Sequence, residues 1–166
     1  RQAGKLAEAL NLAKTELNTE PDNIWSKRNI SWVYYEYLKE NSSAENFDKF
    51  IFSIIEVKNL ELPNDEKLFF ENLCWQVGKI IFSLIKHDHQ DLSRITKLFE
   101  LIQSFEFPKP SEGYSFLLKA IHNAFKHSDQ YISYVNWWDL SNISDKDFRN
   151  EKLDNGREMM SLGEMV

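Results

Sequence analysis

Cysteine, glycine and proline are all scarce in this sequence, and each scarcity rules something out. Cys74 is the single cysteine among 166 residues, so no intrachain disulfide forms and packing must hold the fold. It sits inside an apolar helical pattern and reads as a small core residue in a reducing compartment, which places the chain in the cytoplasm. Five glycines and four prolines leave little material for β-turns and favour long uninterrupted helices. No alternating run of β-branched residues bounded by a tight glycine turn occurs, so no strand is predicted. No run of about 18 apolar residues occurs either, which argues against a membrane span. The N-terminus lacks the basic end and apolar run of a signal peptide. Positive charge is also in deficit: the net charge of -6 disfavours chain-wide attraction to nucleic acid or anionic lipid. Because the chain starts at Arg1 rather than methionine, it is expected to be part of something longer.

What the chain has in quantity is aromatic side chains, 14% of residues within a hydrophobic content of 42%. With a mean hydropathy of -0.50, this is the composition of a soluble globular protein whose cores or grooves are built from rings. The length suits one domain, able to bury roughly 70% of its unfolded surface.

Apolar residues recur at helical spacing along most of the chain. The first stripe is Leu6, Ala9, Leu10, Ala13 and Leu17, stopped by Pro21, with Asp22 and Asn23 available to cap the next helix. That second helix spans Trp25 to Asn41. Ser42 to Glu45 reads as a capping box opening a third helix with Phe47, Phe50, Ile51, Ile54 and Ile55. Asn64 is expected to cap a long fourth helix, with Asp65 and Glu66 in its first turn. Its stripe of Phe69, Leu73, Val77, Ile80, Ile81, Leu84 and Ile85, widened by Phe70, Trp75 and Phe82, predicts the most buried helix of all. Leu92 to Phe105 forms a fifth helix, Ser111 caps a sixth with Tyr114, Leu117, Leu118 and Ile121, and a shorter seventh spans about 130–138. Beyond Trp138 the pattern loosens. The expected organisation is therefore an all-α domain over 1–138, about seven helices in antiparallel hairpins, followed by a loosely structured extension over 139–166.

The second helix has two apolar faces rather than one. Ile30, Val33, Tyr34, Tyr37 and Leu38 form the first, while Trp25, Arg28, Trp32, Tyr35 and Glu36 form the second, where large rings alternate with charges. A helix apolar on both sides sits between neighbours or faces a ligand. This helix is accordingly expected to be central.

Gly4, Leu6, Ala9, Ala13 and Pro21 match the second-helix spacing of a tetratricopeptide repeat, and Ile30, Ser31 and Tyr34 match its first helix. Residues 1 to about 50 thus resemble one and a half tetratricopeptide repeats. Later pairs depart from the pattern: Leu118 stands where a small residue is usual, and first helices begin near Ile24, Asp65 and Ser111, a period well over the roughly 34 residues of the standard repeat. The resemblance implies a divergent, short α-solenoid or a compact helical bundle. A fainter resemblance, over Trp137 to Leu140, Asp147, Phe148, Gly156, Ser161 and Leu162, is to bacterial tetratricopeptide-like proteins, some of which carry a small nucleic-acid-binding β-barrel elsewhere.

In tetratricopeptide folds the first helix of each pair lines the concave surface. By that resemblance Trp25, Arg28, Asn29, Trp32, Tyr35 and Glu36 would face a groove and bind a peptide or partner domain. Such rings supply anchors and arginine supplies a carboxylate partner. The competing expectation is that the rings pack on the fourth helix with Arg28 stacked over Trp32. Trp137 and Trp138 are a further candidate contact.

Chemistry-bearing motifs are sparse. His87 and His89 are two apart and His122 and His127 five apart, whereas a helical metal pair wants a spacing of about four. Asp145, Asp147 and Asn150 faintly resemble a calcium loop but lack its glycine. No phosphate loop or nucleophile elbow occurs. The expectation is a non-catalytic scaffold or adaptor module with no metal and no cofactor, binding protein or peptide. Direct nucleic-acid binding is disfavoured because Lys27-Arg28 is the only adjacent basic pair. The alternative is a regulatory helical domain of a larger nucleic-acid-processing protein.

Overall fold

Helix propensity and capping chemistry set the element boundaries of the computed structural model, which describes residues 2–87, 92–106 and 112–125. Among these residues there are six α-helices: α1 (Gln2–Thr19), α2 (Ile24–Glu40), α3 (Phe47–Asn59), α4 (Lys67–His87), α5 (Leu92–Gln103) and α6 (Glu112–Phe125), with a 3-10 turn at Ala44–Asn46. The described residues are all helical or connecting, with no strand among them. The predicted seventh helix, the domain boundary after residue 138, His89, His127, Trp137, Trp138 and the acidic loop at Asp145 and Asp147 lie outside the described residues.

Asn23 caps α2 as its sequence position suggests. Its side-chain oxygen accepts from the amides of Trp25 (3.0 Å) and Ser26 (3.3 Å), satisfying donors that a helix start leaves open. Two other starts differ from expectation. The capping box at Ser42 to Glu45 does not form, because Ser42 donates back to the Lys39 carbonyl and Ser43 precedes the 3-10 turn without capping it. The Ala44 amide instead donates to Ser83 Oγ of α4 (3.2 Å). Helix α4 begins at Lys67 rather than just after Asn64, because the Pro63 carbonyl takes the Glu66 amide in a turn. Scarce glycine also leaves a mark: Glu61, just past α3, adopts φ 51°, the left-handed conformation glycine usually fills.

The core is one continuous cluster. Leu38, Phe50, Ile54, Leu73, Ile80 and Leu117 are fully enclosed, each burial stabilising by about 1.5–3 kcal/mol. Helix α1 packs on α2 and α2 on α3, whereas α4 packs most closely on α6 rather than on its sequence neighbour α5. Glycine explains that preference. A Cβ on Gly113 would lie 2.3 Å from the Glu71 carbonyl oxygen, and one on Gly78 would lie 2.5 Å from the Phe116 ring. Phe116 fills the notch over Gly78, stacked on Trp75 (4.4 Å between centroids) and tilted against Phe82 (5.6 Å). Small residues here bring two backbones together, as large ones cannot.

Centrality, expected of α2, is shared: α2 touches α1, α3 and α4, while α4, expected to be the most buried helix, touches α2, α5, α6 and the 3-10 turn. Its segment Lys67–Lys86 reaches a mean hydropathy of 1.3, enough by length and composition to cross a membrane, but 56% of that window is buried inside the fold. A core helix satisfies the same composition, and packing accounts for its apolarity.

Candidate functional site

The six residues singled out on α2 separate into two groups in space. Trp25, in the first turn after the Asn23 cap, is 72% exposed. The Arg28 guanidinium lies 5.1 Å from the centre of its ring, not over Trp32 as the packing alternative expected. Arg28 Nε donates to Glu66 Oε1 at the entry to α4, so α4 holds the cation against the ring. The guanidinium is thus shared between the Trp25 ring and the Glu66 carboxylate. Leu68, two residues beyond Glu66, is 66% exposed, and Asn29 is exposed on the same helix.

Trp32 and Tyr35 belong to the α2–α4 interface. Trp32, 37% exposed, meets Tyr35 (5.4 Å) and Phe69 (5.2 Å) edge-on. Phe69 continues through Phe70 (6.0 Å) to Phe105 (5.7 Å), so edge-to-face rings run from the surface into the core. The Tyr35 hydroxyl accepts from buried Gln76 Nε2 at 3.0 Å, while Lys39 lies 5.4 Å from its ring. Glu36 pairs with Lys39 at 2.7 Å on an open surface, a contact worth about 0.3–0.5 kcal/mol. Glu66, Phe69 and Gln76 are the partners that reading α2 alone did not supply.

The other face of α2, expected to be core, is buried at Ile30, Ser31, Tyr34 and Leu38. Its outer edge opens into a groove of about 610 Å³ that sequence reasoning did not anticipate. Leu10 of α1, Tyr34 and Tyr37 of α2 and Phe52 of α3 supply apolar walls. Glu40 and Asn41 at the end of α2, with Asp48 and Lys49 at the start of α3, supply a charged rim. Phe52 is 58% exposed. The only sequence signal for this groove was Phe52, which falls outside the apolar stripe of α3. Behind the wall, the Tyr34 hydroxyl donates to Glu56 Oε2 (3.0 Å). Burial, and then the bond to the Glu56 carboxylate, push the Tyr34 phenol well above its ordinary range.

No group of three or more histidine, cysteine, aspartate or glutamate side chains is placed to hold a metal ion among the described residues. His122 is buried in the last turn of α6. Comparison with family models, curated proteins and solved structures finds no match.

Proposed function

We propose that this chain is a non-catalytic interaction module, a scaffold or adaptor that captures a protein partner through the α2 face bearing Trp25, Arg28 and Trp32. The single observation that carries this reading is the Trp25–Arg28–Glu66 unit. It is an exposed indole with a guanidinium stacked on it, anchored by a carboxylate from the turn that enters α4. Tryptophan and arginine dominate protein interfaces, and side chains fixed in advance lose less freedom on binding. The cation–π contact and the surface ion pair each contribute only about 0.5–1 kcal/mol to the fold. Stability is therefore a weak reason for placing these groups together.

The tetratricopeptide-like reading belongs to the same proposal. Helices α2, α4 and α6 begin at Ile24, Lys67 and Glu112 and pack in succession, α2 on α4 and α4 on α6. That succession supports a short solenoid in which they are the first helices of divergent pairs. The test is capture of partners from native lysate by the immobilised chain, beside the Trp25→Ala/Arg28→Ala double variant. The proposal expects the variant to lose the captured proteins while keeping its helical spectrum and unfolding midpoint. Identical capture by folded variant and wild type would refute it.

A further inference from the structure

The groove between α1, α2 and α3 lies on a different face of α2 from Trp25 and Arg28, and its chemistry is specific enough to name an occupant. We infer that it is a second recognition surface, seating a short peptide segment that carries one arginine or lysine beside an apolar side chain. The inference rests on the same reading of the chain as a binding module, but on other residues.

Charge sets the cationic part. Glu40 and Asp48 line the groove, both are exposed, and neither makes an ion pair among the described residues. Lys39, next to Glu40, is turned to Glu36 and the Tyr35 ring instead. Lys14 lies 5.8 Å from the Tyr34 ring centre. Glu40 is the last residue of α2, so the negative end of the helix dipole adds to its carboxylate. The half-buried Tyr37 ring in the adjoining wall offers a face for a cation. Among the lining residues two carboxylates therefore oppose one ammonium, Lys49, while Lys14 is held over the Tyr34 ring of the wall. A cation fits this rim and an anion does not, while Lys49 penalises a run of consecutive basic residues.

The apolar part follows from Leu10 and the exposed Phe52. They leave hydrocarbon in water at the mouth of a groove whose volume lies within the roughly 300–1,000 Å³ of ligand sites. An aliphatic or aromatic side chain next to the cation would cover both.

The experiment screens the full chain against an array of short peptides pairing one arginine or lysine with leucine, phenylalanine or tryptophan. Control peptides carry glutamate in place of the cation. The strongest binder is then titrated by fluorescence polarisation into wild type, Glu40→Gln/Asp48→Asn, Phe52→Ser and Trp25→Ala. The substituted side chains are exposed, and circular dichroism checks that each variant is folded. The expected result is capture of cation-bearing peptides over their glutamate counterparts. Losing either the carboxylate pair or Phe52 should weaken binding roughly tenfold, with Trp25→Ala within about twofold of wild type. No captured peptide, equal capture of glutamate controls, or undiminished binding by the carboxylate variant would overturn the inference. So would loss of binding in Trp25→Ala, which would move the peptide to the other face. Failure here leaves the lysate test of the Trp25 face standing, because that test alters no groove residue.

Discussion

Helices α1 to α3 and helices α4 to α6 solve the same packing problem in opposite ways. In the second half, Gly78 and Gly113 remove side chains at the crossing, and Phe116 fills what remains between Trp75 and Phe82. In the first half no glycine brings the helices together, and large rings at Tyr34, Tyr37 and Phe52 hold open a groove. The close crossing sets ring against backbone, whereas the ring-propped one leaves walls, a rim and exposed apolar surface. Side-chain size at a helix crossing thus separates the half that closes from the half that presents itself.

The contrast breaks most severely at Gly113. A Gly113→Val side chain would meet the Glu71 carbonyl, which belongs to the backbone of α4 and cannot swing aside. Urea unfolding should show a loss of roughly 3 kcal/mol, the upper range for overpacking. Gly78→Ala meets a ring instead of backbone and gains helix propensity, so its loss should be smaller, about 1 kcal/mol.

Tyr35→Phe probes the joint between the halves. It leaves the buried Gln76 amide without its hydroxyl acceptor, at a cost of about 1–2 kcal/mol in the same assay. Tyr34→Phe tests the groove wall through pH. The folded state holds the Tyr34 phenol protonated above its ordinary range, so its contribution is complete below the unfolded value of about 10. Stability is then lost as pH rises beyond that, because the unfolded chain releases the proton first. Urea midpoints measured across the alkaline range should fall less steeply in Tyr34→Phe than in wild type. The smallest effect concerns the end of α3: Glu61→Gly relieves a left-handed residue and should raise stability by about 0.5–1 kcal/mol.

Much of the architecture was legible because it follows from periodicity. The apolar stripes of α1 to α6, the Asn23 cap and the burial of the α4 stripe are all properties of residues near one another in the chain. The Ser42 to Glu45 box failed because the Ser42 hydroxyl turns back to the Lys39 carbonyl, and the Ala44 amide finds its acceptor in distant Ser83. Closeness of α4 to α6 was hidden for a related reason. Glycine in a helix reads as a weakness of about 1 kcal/mol until the neighbour it admits is known. On α2, aromatic–cation alternation marked Trp25 and Arg28, but Glu66 lies 38 residues away from Arg28, and its position in the first turn suggested a dipole role instead. The groove was the least legible feature, since it is a space between three helices rather than a pattern within one.

Native-state hydrogen exchange tests the division between the two halves most directly. The seam formed by Cys74, Val77, Ile80 and Ile81 of α4 with Leu117, Leu118 and Ile121 of α6 is buried, so its amides should exchange only through global unfolding. Those of α1 and the outer turns of α3, beside the groove, should open locally and exchange faster. Equal or slower exchange in α1 and α3 than in the α4–α6 seam would contradict the account.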